Sequence, residues 1–234
     1  MESDQAQQIN DEPKKLAVST PRTYMLNPCN ARLKADADSY RSGVFRNAGF
    51  DRRHTQKRIP IGPDDWNVKC NHIADSIGKG VMIALTGKRG TGKTQMVSEA
   101  VARYLDGIGD LTLAGACVPS EPGTVYLRAI GIFIAIRASY GKKSEETEGD
   151  VIKRYCRPGL LIIDEMHDRG ETEWEDRMLT HIIDVRYGSM KDTVMISNQT
   201  KDEFLKQVGS SISSRLAETG GVMECDWDSF RGKQ

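Results

Sequence analysis

A glycine-rich loop at residues 87–94 constrains this chain more than any other feature. Its sequence, Gly-Lys-Arg-Gly-Thr-Gly-Lys-Thr, matches the pattern G-x-x-x-x-G-K-[ST]. The apolar run 81–86 precedes the loop, and residues 95–105 after it place apolar side chains on one helical face. The pattern therefore predicts a buried strand, a tight turn and an amphipathic helix. Backbone N–H groups in such a turn, together with the helix N-terminus, attract polyanions, so we predict a phosphate-binding site.

The loop also predicts which side chains hold a nucleotide. Lys93 is expected to reach the β- and γ-phosphates, and the Thr94 hydroxyl is expected to ligate Mg²⁺. The alternative, a chance glycine-rich turn, requires the strand, the helix and the Lys-Thr pair to coincide. ATP and Mg²⁺ are therefore the expected cofactors. The residues predicted to contact the nucleotide are Gly87, Gly90, Thr91, Gly92, Lys93, Thr94 and Gln95.

Apolar strands alternate with helices along the rest of the chain. Strands are predicted at residues 81–86, 124–128, 159–165, 193–198 and 222–227. Helices are predicted from Trp66 to about Ile77, with Asp64 or Asp65 as the N-cap, and over residues 130–139. This alternation predicts an α/β fold with a parallel five-stranded sheet flanked by helices. Sheets of this kind bind ligands at the carboxyl ends of their strands.

Two carboxylates end the third predicted strand. Asp164 is the expected second Mg²⁺ contact, held through water, and Glu165 can orient the water that attacks the γ-phosphate. Hydrolysis is therefore favoured over nucleotide binding alone. The alternative is that Glu165 only starts the next helix. Because a strand and a helix, residues 124–139, separate the loop from Asp164, the chain suits motor-type and AAA+ ATPases better than nucleotide kinases or GTPases.

Three further polar residues are candidates for the same site. Asn198 ends the fourth predicted strand and is placed to contact the γ-phosphate or the attacking water, although a plain turn residue is the alternative. Arg215 follows a short helical stretch and is a candidate arginine finger acting on a neighbouring subunit, or else a surface salt-bridge partner. Arg231 is placed to contact phosphate within its own subunit.

Composition restricts the cellular setting and the partners. Lys and Arg total 33, as do Asp and Glu, so any polyanion must be bound by a local cluster of charge. The five cysteines form no C-x-x-C pair, which favours a reducing compartment. Because there is no apolar run of membrane-spanning length and no signal-peptide core, we expect a soluble cytoplasmic protein without membrane contact.

The N-terminal part of the chain differs from the rest. Residues 1–36 are polar and contain prolines, which predicts a mobile or partner-ordered arm. Residues 40–63 are basic and include Phe45 and Phe50, which suits nucleic acid or a partner surface; equally, the two rings can pack on the domain from a solvated linker. The predicted division is an arm at residues 1–50 and an ATPase domain at residues 51–234.

With these residues in place, the chain resembles the DnaC/IstB-like family of AAA+ P-loop ATPases over roughly residues 50–232. The motifs that carry the resemblance are the loop 87–95, Leu160–Glu165, Ile183–Tyr187, Ile196–Asn198, Ser214–Leu216 and Trp227–Arg231. The resemblance implies that Lys93 and Thr94 belong to Walker A and that Asp164 and Glu165 belong to Walker B. It also implies that Asn198 is sensor 1, Arg215 the arginine finger and Arg231 sensor 2, and that a full helical lid is lacking.

The resemblance further implies a replicative helicase loader, of phage or prophage origin, that forms an ATP-dependent homo-oligomer on single-stranded DNA and delivers a hexameric DNA helicase. The candidate DNA-binding segment is residues 135–157, with Arg137, Tyr140, Lys142, Lys143, Lys153, Arg154 and Tyr155. Acidic residues among them leave a solvated helix pair as an equal alternative. Two other functions stay open, an IstB-like transposition ATPase on duplex DNA and a small-molecule kinase.

Overall fold

The computed structural model describes residues 42–56, 64–113, 123–141 and 144–231. Predictions for the arm before residue 42, and for Lys142 and Lys143, lie outside these residues. Everything below concerns the described part of the chain.

Five parallel strands form one sheet in the order β2-β3-β4-β1-β5. They are β1 Met82–Thr86, β2 Thr124–Arg128, β3 Leu160–Asp164, β4 Asp192–Ile196 and β5 Gly221–Glu224. The three central strands β1, β3 and β4 are buried along their whole length, which explains their unbroken apolar sequences. Strand β4 lies between β1 and β3, an order that disfavours the kinase alternative. The predicted α/β sheet is confirmed, and every strand except β2 is shorter than the sequence indicated.

Helices follow the strands and cover both faces of the sheet. They are α1 at residues 42–48, α2 Arg52–Gln56, α3 Asp64–Ser76, α4 Lys93–Leu113, α5 Ala129–Ala138, α6 Glu148–Cys156, α7 Glu173–Gly188 and α8 Lys201–Thr219. Because α3 begins at Asp64, Asp64 and Asp65 lie in its first turn instead of capping it. Helix α8 is kinked at Gly209, whose φ is 77°.

The sheet separates two apolar cores. Helices α1, α3 and α4 pack on one face, and helices α5 to α8 pack on the other. Phe45 and Phe50 are buried in the first core, each 7% exposed, so the alternative in which they pack on the domain is correct. The boundary predicted at residue 50 therefore falls inside the packed unit, which includes residues 42–50.

A buried arginine fixes the ends of β3 and β4 that lie opposite the candidate site. Arg186 of α7 is fully buried, and its guanidinium donates to the carbonyls of Tyr155, Pro158 and Gly159 and to the Thr193 hydroxyl, at 2.8–3.3 Å. Burial lowers the pKa of Arg186 to about 10, so the group stays charged at neutral pH. Arg186 thus ties the segment before β3 to the start of β4.

None of the described helices is long and apolar enough to cross a membrane. After β5, residues 225–231 contain no further helix and turn back towards the glycine-rich loop.

Candidate nucleotide-binding and hydrolysis site

The glycine-rich loop, residues 87–94, joins β1 to α4 at the carboxyl edge of the sheet. Gly87 has φ 124°, and a Cβ there would come within 2.3 Å of the Cys225 carbonyl oxygen. Its N–H donates to the Gln199 carbonyl at 2.8 Å. Glycine is therefore required at position 87 by both the backbone angle and the close approach of residue 225.

Lys93 begins α4 and is only 4% exposed. Its ammonium donates to the carbonyls of Gly87 and Lys88, each at 2.7 Å. Burial lowers the pKa of Lys93, and the nearby carboxylates of Asp164 and Glu165 act in the opposite direction. The structure therefore places this cation inside the loop and close to both carboxylates.

Gln95 follows in the same helix, but its side chain points away from the loop. Its Nε2 donates to the His54 carbonyl at 3.0 Å, and the Ser98 hydroxyl donates to the same oxygen at 2.9 Å. These bonds attach α2 to α4. A contact between Gln95 and the nucleotide stays a prediction. It would be made by the Gln95 backbone N–H, because the side-chain amide is bonded to His54.

Thr94 and Asp164 meet at the edge of the sheet. The Thr94 hydroxyl donates to Asp164 Oδ2 at 2.8 Å, and the Glu165 N–H donates to Asp164 Oδ1 at 2.7 Å. The Tyr126 hydroxyl of β2 also donates to Asp164 Oδ2, at 2.8 Å. The sequence analysis missed Tyr126, because a tyrosine within an apolar strand gives no sign of which strand will lie beside it.

This oxygen set fits Mg²⁺. A hydroxyl and a carboxylate are hard ligands, and Mg²⁺ is usually bound by one or two protein oxygens together with water and substrate phosphates. The described residues contain no group of three or more His, Cys, Asp or Glu side chains that would hold a metal alone. Thr94 and Asp164 are thus suited to a metal that arrives with a nucleotide.

Glu165 lies directly after β3 in a left-handed backbone conformation, with φ 52° and ψ 47°. This conformation is strained in a residue other than glycine and is common at functional sites. The Glu165 side chain makes no capping bond to the short 3-10 turn Met166–Asp168 that follows. Instead, its Oε2 accepts a hydrogen bond from Asn198 Nδ2 at 2.9 Å, across from the end of β4. Two of the residues that the sequence predicts to act in catalysis, Glu165 and Asn198, are therefore in contact.

A histidine that the sequence analysis missed links Glu165 to the loop. His167 Nε2 lies 3.3 Å from Glu165 Oε2, and Arg89 Nη2 of the loop lies 3.4 Å from the same nitrogen. The side chains of the loop, the β3 end and the β4 end thus form one connected polar cluster.

Comparison with known proteins supports a family assignment. No family model matches the chain. Its sequence is 27% identical over 224 residues to the uncharacterized protein YdaV of Escherichia coli K12, covering 92% of this chain and 82% of that protein. It is 23% identical over 217 residues to the replicative helicase loader DnaC of Escherichia coli K12, covering 82% of this chain and 83% of DnaC.

Solved structures give the same result for the fold. A crystal structure of the DnaC helicase loader aligns with a TM-score of 0.58 at 13% identity, covering 74% of this chain and 99% of that chain. The chain is therefore similar in sequence to the DnaC loaders and to YdaV, and it shares the fold of the DnaC helicase loader. A structure of the replication initiator DnaA bound to AMPPCP and single-stranded DNA also aligns, with a TM-score of 0.56 at 18% identity over 77% of this chain. This chain spans about half, 52%, of that DnaA chain.

The contacts of Arg215 in α8 are made with α7 and with α8 itself, not with the loop of its own chain. Arg215 Nη2 pairs with Asp184 Oδ1 of α7 at 2.9 Å, and its guanidinium lies 5.3 Å from the centre of the Tyr187 ring. Nη1 donates to the Ser211 carbonyl at 2.9 Å. Within its own subunit Arg215 is thus a salt-bridge partner, while its action as an arginine finger on a neighbouring subunit stays a prediction.

The segment Trp227–Arg231 lies against the glycine-rich loop. Trp227 Nε1 donates to the Thr91 carbonyl at 2.9 Å, and the Phe230 N–H donates to the Gly90 carbonyl at 2.8 Å. A Cβ on Gly90 would lie 3.5 Å from Arg231 Cδ. The structure therefore brings Arg231 beside the loop, while its contact with phosphate stays a prediction, and it shows that Trp227 and Phe230 donate hydrogen bonds to the loop carbonyls.

Several basic residues of the candidate DNA-binding segment, residues 135–157, form ion pairs with acidic side chains in the structure. Tyr155 is 6% exposed and packs in the core, so the prediction that it stacks on bases is wrong. Three basic residues have acidic partners: Arg137 has Glu175, Lys153 has Asp150 and Arg154 has Glu146. Tyr140 stays 53% exposed near Trp174, whose ring contacts the Arg137 guanidinium at 4.9 Å. Any base stacking here would involve Tyr140 and Trp174.

Proposed function

We propose that this chain is an ATP-hydrolysing helicase loader that assembles on single-stranded DNA and delivers a hexameric replicative helicase. Hydrolysis is supported by two contacts at the sheet edge, Thr94 to Asp164 at 2.8 Å and Asn198 to Glu165 at 2.9 Å. The first contact brings together a hydroxyl and a carboxylate that suit a metal ion. The second joins the neighbouring Glu165 carboxylate to the side-chain amide of Asn198. Water-dependent phosphoryl transfer needs that second carboxylate, whereas nucleotide binding alone does not.

In the proposed reaction, loop N–H groups and the Lys93 ammonium bind the phosphates of ATP. Thr94 and Asp164 would hold Mg²⁺, which would neutralise charge on the phosphates when bound. Glu165 orients a water molecule for attack on the γ-phosphorus and accepts a proton from it. The bond between the γ-phosphorus and the bridging oxygen breaks, and that oxygen leaves with ADP. Asn198 fixes the Glu165 carboxylate through their 2.9 Å hydrogen bond.

Assembly would complete the site. Arg215 does not contact the loop of its own chain in the described structure, so its charge reaches a nucleotide only if a neighbouring subunit carries that nucleotide. Arg231, beside the loop, supplies charge from within the subunit. An arginine supplied in trans makes hydrolysis depend on oligomerisation.

The helicase and the single-stranded DNA are inferred from relatives and from one surface. DnaC, which is 23% identical to this chain, is a replicative helicase loader, and the aligned DnaA structure contains single-stranded DNA. In this chain the exposed Tyr140 and Arg137 lie beside the partly buried Trp174, and together they provide aromatic rings and a cation. Such a surface suits unpaired bases and phosphates without sequence preference.

A pull-down of the host replicative helicase, with and without ATP, tests the loader role most directly. We expect the helicase to be retained, and the E165Q variant to retain it more strongly in ATP because turnover is stalled. ATPase rates should rise more with single-stranded than with duplex oligonucleotides. Filaments on duplex DNA that recruit a transposase would instead support the transposition alternative, and phosphoryl transfer to a metabolite without DNA stimulation would support a kinase.

A further inference from the structure

Tyr126 of β2 has a contact that the proposed mechanism does not use. Its hydroxyl and the Thr94 hydroxyl donate to the same oxygen, Asp164 Oδ2, each at 2.8 Å. Asp164 is 4% exposed and Tyr126 is 9% exposed, so water has little access to this oxygen. Both Asp164 Oδ2 lone pairs are therefore occupied by side-chain donors, which fixes the rotation of the carboxylate.

The Tyr126 ring is held in turn by the N-terminal segment of the packed unit. Phe50 stacks on it, with ring centres 4.6 Å apart and an angle of 18° between the planes. Phe45 packs edge-on against Phe50 at 5.2 Å. A chain of contacts thus runs from residues 45–50 to the predicted metal-binding carboxylate.

The two hydroxyls on Asp164 Oδ2 serve different purposes. Thr94 can donate its proton to Asp164 while its oxygen faces a metal. Tyr126 comes from the neighbouring strand β2 and is buried, so its hydroxyl is left to orient the carboxylate.

We propose that Tyr126 is a positioning residue that orients Asp164 for Mg²⁺, and that Phe50 holds Tyr126 in place for this task. The packing of residues 45–50 then sets how much Mg²⁺ strengthens nucleotide binding. This inference rests on the proposed nucleotide site. It connects the packing of residues 45–50 to the predicted metal site through the contacts of Phe50 and Tyr126.

The test measures the Mg²⁺-dependent gain in nucleotide affinity, which does not require turnover. A fluorescent ADP analogue is titrated into the full chain in excess EDTA and again in Mg²⁺, and the ratio of the two dissociation constants is the readout. Tyr126→Phe removes the hydroxyl but keeps the stacked ring. We expect the ratio to fall about tenfold, the usual effect of one lost hydrogen bond to a charged group, while the EDTA affinity is unchanged.

Two further variants separate positioning from general damage. Tyr155→Phe removes a hydroxyl from a buried tyrosine in the other core and should leave the ratio unchanged. Phe50→Leu keeps an apolar side chain but loses the stacked ring, and it should lower the ratio. In the Tyr126→Phe background it should lower the ratio no further, because both changes act on the same contact.

Each outcome is decisive. If the wild-type chain binds no nucleotide, the proposed function fails and the inference fails with it. If Mg²⁺ strengthens nucleotide binding to the wild type, and Tyr126→Phe shows an equal or larger ratio of dissociation constants, only the inference is overturned. An equal loss of affinity in EDTA and in Mg²⁺ would show a merely structural role for Tyr126, and additive effects of the two substitutions would refute the role of Phe50.

Discussion

Replacing Arg186 should test whether one buried cation holds together the two strands that end at the candidate catalytic residues. Its guanidinium bridges the segment before β3 and the start of β4, and these strands end near Asp164 and Asn198. Arg186→Met fills much of the same volume but donates no hydrogen bond. We expect the variant to fold less stably and to respond more weakly to nucleotide.

The expected change in the free energy of unfolding follows from the backbone carbonyls that lose a hydrogen-bond donor in Arg186→Met. The Gly159 carbonyl keeps a second donor, the Asp192 N–H at 2.8 Å, so the loss falls on the carbonyls of Tyr155 and Pro158 and on the Asp192 carbonyl, to which the guanidinium also donates. Carbonyls that lose their donor away from water cost about 1–3 kcal/mol each, and this cost is partly offset because a buried charge is also removed. We therefore expect the free energy of unfolding to fall by about 3 kcal/mol, a large share of the ~5–15 kcal/mol typical of a domain.

Urea unfolding followed by circular dichroism measures this change. Arg186→Lys should fall between wild type and Arg186→Met, because an ammonium keeps the charge but has at most three donors. Arg177→Met, on the exposed side of the same helix, is the matched control and should stay within about 0.5 kcal/mol of wild type. If Arg186→Met unfolds within about 1 kcal/mol of wild type, the reasoning about the unsatisfied carbonyls is refuted.

Three other predictions concern the site itself. Glu165→Gln should still bind ATP by calorimetry while phosphate release slows at least ~100-fold, and wild-type turnover would remove Glu165 from the mechanism. Trp227→Phe loses the 2.9 Å bond to Thr91 and should weaken nucleotide binding about fivefold in a titration, whereas unchanged affinity would mean that this bond does not shape the loop. When Arg215→Ala subunits are mixed with wild-type subunits, ATP turnover should fall by more than the fraction of altered subunits, because each altered subunit removes an arginine from its neighbour's site. A loss strictly proportional to that fraction would refute the trans role.

Much of the architecture could be predicted from sequence because it depends on neighbouring residues. The glycine spacing of residues 87–94, the apolar runs and the helical periodicity after the loop are local patterns, and they placed β1, α4 and the carboxylates of Asp164 and Glu165 correctly. Most element ends shifted by up to three residues, because helix and strand ends depend on capping and packing as well as on pattern. Helix α4 differs more, since it continues past the predicted end at Leu105 to Leu113.

The sequence by itself determined the phosphate loop, the alternating strands and helices, and the residue types gathered at the carboxyl edge of the sheet. Only the tertiary structure decided which of these touch, since Thr94 and Tyr126 lie 70 and 38 positions from the Asp164 that they share. Strand order brings these residues together, and that order results from packing of whole elements around two cores. The contacts of Tyr126 and Trp227 therefore came from the fold, because no local pattern encodes which distant residue a side chain will meet.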